Sequence, residues 1–84
     1  MATLFVYDVF KLPSGVVLVG QVRSEVLRVR MRANVEGRVV EVKAIETAHK
    51  QVQEAKAGDN IGVLLSNADY GMFGRYKGGV VEFL

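Results

Sequence analysis

Ala55-Lys56-Ala57-Gly58-Asp59-Asn60-Ile61-Gly62-Val63-Leu64-Leu65 runs a glycine turn directly into an apolar segment. Gly58 supplies the backbone freedom that a tight turn needs, and Asp59 and Asn60 have short polar side chains able to bond their own backbone there. Ile61 to Leu65 is too apolar to face water on both sides, so it reads as a buried strand launched from a fixed turn.

Working outward from that strand, short extended segments alternate with turn signals. Leu4 to Phe10 reads as a first strand, Lys11-Leu12-Pro13-Ser14-Gly15 as a turn, and Val16 to Arg23 as a second strand, which together predict a hairpin. Val26 to Ala33 alternates strictly, with arginines on even positions and apolar side chains on odd ones, the pattern of a half-buried strand. Gly37 marks a tight turn into a strand over Arg38 to Glu46. There Val40, Val42 and Ala44 are expected to point one way and Val39, Glu41, Lys43 and Ile45 the other. From Thr47 to Lys56 the local signals favour a helix, with Thr47 as its cap and Gly58 just past its end. The last loop, Ala68 to Gly78, is glycine-rich and carries two tyrosines, and Val80 to Leu84 reads as a closing strand.

Asp8-Val9-Phe10, Val19-Gly20-Gln21-Val22, Glu41-Val42-Lys43-Ala44-Ile45-Glu46 and the glycine-turn strand occur in an order and spacing that resemble the second domain of translational GTPases. The nearest likeness is to elongation factor Tu and elongation factor 1-alpha, and it runs from about Phe5 to Phe83. The resemblance implies an all-β fold, a small closed antiparallel β-barrel. Over Thr47 to Lys56 it implies an irregular or short extended segment with Val52 tucked under the barrel. That reading is preferred to the helix, because tertiary context overrides weak propensity over ten residues. Near Ser24-Glu25 the chain departs from the family's Ser-Gly turn. The turn after Arg23 is therefore expected to be rebuilt, with Met31 to Val35 extended and Val26 to Arg30 open. No G-x-x-x-x-G-K-[ST] phosphate loop occurs, so no GTP binding is expected.

The resemblance also implies a surface pocket, which in elongation factor Tu receives the aminoacylated adenosine at the end of transfer RNA. Asp8 and Phe10 match its acid and aromatic on the first strand, Glu46 the acid after Ile45, and Asn60 and Leu64 the amide and leucine of the glycine-turn strand. Two positions depart: His49 stands for a basic residue that is usually arginine, and Val19 for a threonine. Both changes weaken hydrogen bonding and phosphate attraction.

At 84 residues, half of them hydrophobic, the chain reads as one domain near the lower size limit for a self-sufficient core. No apolar run exceeds four residues, against roughly 18 for a membrane-spanning helix, and no charged-then-apolar leader begins the chain, so a cytoplasmic protein without membrane partners is expected. With no cysteine and a single histidine, neither a thiolate nor a multi-histidine metal site can form, and no cofactor is expected. Neither Ser14, Ser24 nor Ser66 stands in a nucleophile-elbow pattern, and the acidic residues are scattered singly, so the chain is read as no enzyme. The scarcity of asparagine and glutamine hints at a heat-adapted source.

Two further features suit binding. Arg23, Arg28, Arg30, Arg32 and Arg38 lie close together, and an extended segment would set Arg28, Arg30 and Arg32 on one face to track a phosphate backbone. The bland account is that outward strand positions are polar and arginine keeps surfaces soluble, in line with a net charge of only +2. Tyr70, Met72, Phe73 and Tyr76 are the right kind of anchors for a protein interface, or they fold back to cap the barrel. The expected function is a non-catalytic binding module associated with translation that binds transfer or ribosomal RNA. The alternative is an adaptor docking another protein or itself.

Overall fold

The computed structural model of the chain describes residues 1–66 and 68–84. Nine strands follow in order: β1 Ala2–Leu12, β2 Gly15–Ser24, β3 Val26–Arg28, β4 Arg32–Val35, β5 Arg38–Thr47, β6 Lys50–Val52, β7 Glu54–Lys56, β8 Asn60–Ser66 and β9 Val80–Phe83. A 3₁₀ helix, Tyr70–Tyr76, lies between the last two. The main sheet runs β4-β5-β8-β2-β1-β9, every neighbouring pair antiparallel, and β6 pairs with β5. Its two ends meet where Arg32 and Leu84 exchange backbone hydrogen bonds, N to O 2.8 and 2.7 Å, and this turns the sheet into a nearly closed barrel. Closure removes most of the open strand edge that an isolated sheet presents to other chains.

The glycine turn is clamped as its sequence suggests. Asp59 Oδ2 accepts from the Lys56 amide at 3.0 Å, and Gly58 has a φ of 99°, a conformation open to glycine at little cost. The Gly58 amide then bonds the Val22 carbonyl and the Val22 amide bonds the Asp59 carbonyl, so the turn is fixed to the end of β2. Asn60 does not bond its own turn; its Oδ1 accepts from the Tyr7 hydroxyl at 3.5 Å.

Side chains from alternate positions fill the barrel: Leu4, Val6 and Val9 from β1, Leu18 and Val22 from β2, Val40, Val42 and Ile45 from β5, Ile61, Val63 and Leu65 from β8, and Phe83 from β9. Register shifts lie at Thr3/Leu4, Val6/Asp8 and Val42/Ala44, and the last two reset that alternation on β1 and β5. Between Val6 and Asp8 the β1–β2 register shifts, so Tyr7 and Asp8 follow each other outside the core and Val9 returns to it. The second bulge, between Val42 and Ala44, corrects the sequence expectation for β5: Ile45 is buried beside Val40 and Val42, while Ala44 is half-buried on the outer side. One inserted residue flips every side chain that follows it.

Thr47 to Lys56 forms the two short strands β6 and β7, not the helix favoured by its local signals, and Val52 packs against the core. The hairpin of β1 and β2 is tighter than the sequence suggested, since Leu12 pairs with Gly15 across only Pro13 and Ser14.

The strict alternation from Val26 to Ala33 is not one strand, and the face it would have made does not exist. β3 ends at Arg28, Arg30 sits in a turn with a φ of 83°, and β4 begins at Arg32. β3 instead pairs with β7 in a separate ribbon that carries Leu27 and Ala55 into the core.

The aromatic loop is also corrected. Phe73 is fully buried, and Met72 and Tyr76 pack against the core. Only Tyr70 stands well out in solvent. Among the described residues no helix is long and apolar enough to cross a membrane.

Candidate functional site

Pairing across β1, β2, β8 and β5 sets two rows of side chains side by side on the outer face of the barrel. In the first, Asp8 pairs with Val19, Val19 with Gly62, and Gly62 with Glu46. In the second, Phe10 pairs with Val17, Val17 with Leu64, and Leu64 with Ala44. Three strand spacings make each row about 14 Å long. One row is therefore wholly apolar, and the other is ended by two carboxylates with no side chain at Gly62.

That missing side chain opens the surface. A hollow of about 180 Å³ lies over Val17, Ala44, Gln51 and Leu64, and another of about 270 Å³ over Val19, Thr47, His49 and Asn60; Glu46 and Gly62 line both. Larger hollows lie against the β1–β2 turn and at the β4–β9 seam, but neither gathers the resemblance residues.

Glu46 is exposed and makes no ion pair among the described residues. Asp8 is held differently. The Val9 amide donates to its Oδ1 at 2.9 Å, and that bond, with the Lys77 ammonium at 3.3 Å, lowers its pKa below the ordinary aspartate value. Phe10 is 49% exposed, so its ring stands open to solvent at the end of the apolar row.

His49 reaches the second hollow from a two-residue turn, Ala48-His49, that joins β5 to β6 with Thr47 paired to Lys50. Both turn residues are left-handed, φ 49° and 64°, which is the hairpin geometry that asparagine and glycine adopt more cheaply. The double substitution Ala48→Asn and His49→Gly is expected to stabilise the fold by about 1–2 kcal/mol, read as a melting temperature higher by about 4 °C or more. An unchanged or lower value would mean that the turn is not left-handed.

The resemblance residues thus come together: Asp8, Phe10, Val19, Glu46 and Leu64 lie in the two rows, and His49 and Asn60 border the second hollow. Sequence reasoning missed Val17, Ala44 and Gly62, because their facing follows from the bulge and the strand register and not from residue type.

The arginines disperse. Arg28 pairs with Glu54 at 3.1 Å, Arg32 with Glu41 at 3.5 Å and Arg38 with Asp69 at 2.9 Å, all at the surface. Arg23 and Arg30 make no ion pair among the described residues, and the Arg23 guanidinium lies 4.6 Å from the centre of the Phe5 ring. Also among the described residues, no group of three or more His, Cys, Asp or Glu side chains is gathered to hold a metal ion.

The barrel and its glycine-turn strand have counterparts in known proteins. Elongation factor 1-alpha of Pyrobaculum islandicum is 41% identical over 61 residues, covering 69% of this chain, and that of Desulfurococcus mucosus is 43% identical over 60 residues, covering 68%. Translation elongation factor SelB from Methanococcus maripaludis matches the fold with a TM-score of 0.81 over 95% of this chain at 23% identity. This chain is a β-barrel of the translational GTPase second-domain type. It spans 14% of the length of those elongation factor 1-alpha relatives and 18% of the SelB chain. No protein-family model matches it.

Proposed function

We propose that this barrel is a non-catalytic binding module of translation whose outer face takes an unpaired nucleoside at the end of an RNA, transfer RNA first and ribosomal RNA second. The observation that carries the reading is the apolar row lying beside the row that ends in carboxylates. A flat base has Phe10, Val17 and Leu64 to lie against, while Glu46, free of any cation among the described residues, accepts from a ribose hydroxyl. The similarity to translation factor domains supports the same class of partner. With Val19 and His49 in place of a hydroxyl and a fixed cation, the ligand is held by stacking and ribose contacts more than by phosphate.

The adaptor reading has lost its strongest anchor, since Phe73 is inside the core and, of the four proposed anchors, Tyr70 alone stands well out.

The test is binding of labelled bulk transfer RNA and ribosomal RNA across a salt series. A β-carbon at Gly62 meets only Val17 Cγ1, at 3.7 Å, so Gly62→Val, with its folding checked by a melting curve, is expected to set its branches on the floor between the hollows. It is expected to weaken binding at least about tenfold, a loss of about 1.4 kcal/mol. Changing Arg28, Arg30 and Arg32 together to glutamine is expected to cost less than about threefold, because two of the three already face carboxylates. Absence of saturable binding by the parent protein at low salt would sink the reading and turn the search to protein partners.

A further inference from the structure

We propose that Phe5, Tyr7 and Arg23 form a stacking platform that takes unpaired bases of a single-stranded RNA beside the two-row groove; the proposal rests on the RNA reading above and names the form of RNA bound.

None of the three lines either hollow of the groove. Phe5 and Tyr7 flank the buried Val6 and so share the outer face of β1, about 6.6 Å apart along the strand. Their rings meet edge to face, centroids 5.4 Å apart at 69°, which fixes both orientations before any ligand arrives. Tyr7 is 45% exposed in that fixed orientation. An outward strand position is polar by default, and two aromatics in sequence there leave apolar ring surface in water without serving the core.

Charge decides the occupant. Arg28, Arg32, Arg38 and Arg75 each face a carboxylate, whereas Arg23 lies over Phe5 and makes no ion pair among the described residues. A guanidinium seated over a ring, with no carboxylate to engage its N–H donors, is able to stack on a base or bond a phosphate. Polar readers lie next to the rings. Gln21 pairs with both Phe5 and Asn60; its amide nitrogen gives one of its two N–H groups to the Gly58 carbonyl, and its oxygen is left as an acceptor. Asn60 spends its oxygen on the Tyr7 hydroxyl, which leaves its nitrogen as a donor. The exposed Tyr7 ring, a guanidinium without a protein anion seated on Phe5, and amide donors and acceptors at their edge make up a surface for unpaired bases. A duplex hides its base faces in its own stack and cannot use it.

The experiment titrates an end-labelled fluorescent oligouridylate of about ten nucleotides, and a labelled duplex RNA of the same length, with the protein, following quenching of the label, and repeats both with Tyr7→Ala, Tyr7→Phe and Arg23→Gln after melting curves confirm that each is folded. The oligouridylate is expected to be quenched and to bind at least about tenfold tighter than the duplex. Tyr7→Ala is expected to weaken single-strand binding about tenfold while Tyr7→Phe retains it. Arg23→Gln is expected to flatten the logarithmic salt slope by about 0.7, one phosphate contact. If Tyr7→Ala and Arg23→Gln bind like the parent while Gly62→Val loses binding, the platform is wrong and the RNA reading stands. If the parent binds neither oligouridylate nor natural RNA, both fall.

Discussion

Gly20→Ala is expected to cost the barrel about 3 kcal/mol or more, seen as a melting temperature lower by at least about 12 °C for a domain of this size. Gly20 pairs with Val6 on one side and Ile61 on the other, next to the β1 bulge. A β-carbon there would overlap the Phe5 carbonyl oxygen and lie 2.9 Å from the Phe5 carbonyl carbon and 3.2 Å from Val6 Cα. All three are backbone atoms of a paired strand, so no side-chain rotation relieves the overlap; either β1 moves or the hydrogen bonds on that stretch are lost. Gly62→Ala is the control. It sits in the neighbouring strand with only the Val17 methyl at 3.7 Å, so its melting temperature is expected to stay within a few degrees of the parent. Similar melting of the two variants would mean that β1 does not cross β2 this closely, and the register that builds the two rows would be wrong with it.

The same bulge explains how far the sequence could be read. Turns signalled by glycine were legible: Gly37 and Gly58 both have left-handed φ where the pattern put turns, and Ile61 to Leu65 is the strand that follows the second. Five further left-handed residues, Glu25, Arg30, Glu36, Ala48 and His49, carry no such signal, because none is glycine. Arg30 is the costly one. Its turn divides an alternation that otherwise reads as eight residues of continuous strand, and the arginine face disappears with it. The identity of a residue reports its own preferences, whereas a bulge or a forced turn is imposed by the closure of the sheet around it. For that reason the type of each strand was readable and the facing of Ile45 and Ala44 was not.

At the site the division is similar. Asp8, Phe10, Val19, Glu46 and Leu64 were singled out by motif, and the register brings all five into two rows. Tyr7 and Phe5 escaped notice, since an aromatic in a strand is unremarkable until the phase of the strand shows which way it points. The ion pairs of Arg28, Arg32 and Arg38 could not be read either: their partners Glu54, Glu41 and Asp69 lie 26, 9 and 31 positions away in sequence. Exposed pairs of this kind contribute about 0–1 kcal/mol each to stability. Their larger effect is on the field, because they cancel most of the positive stripe that composition suggested and leave Arg23 and Arg30 as its unpaired members.

Phe73→Ala is expected to destabilise the barrel by about 3–5 kcal/mol, and to do so without touching any strand pairing. The ring is fully buried and packs at 6.0 Å, tilted by 56°, against Tyr76, which itself lies on the core. The helix that carries both is tied down at each end. Arg38 bonds Asp69 just before it, Arg75 bonds Glu36 from its last turn, and beyond it the Gly78 amide and the Gly79 carbonyl bond Val6 of β1. These contacts hold the 3₁₀ segment as a plug across one end of the barrel, and Phe73 is the part of the plug that fills volume. The other fully buried side chains, Leu4, Leu18, Ile45, Leu65 and Phe83 among them, are carried by or next to paired strands, so they cannot collapse into the space. Tyr70→Ala on the same helix removes an exposed ring and is expected to change stability by less than about 0.5 kcal/mol. Urea unfolding of the two variants separates a plug from an interface anchor. A small loss for Phe73→Ala, with an unchanged m-value, would mean that the ring spends much of its time outside the core, where a protein partner could take it up.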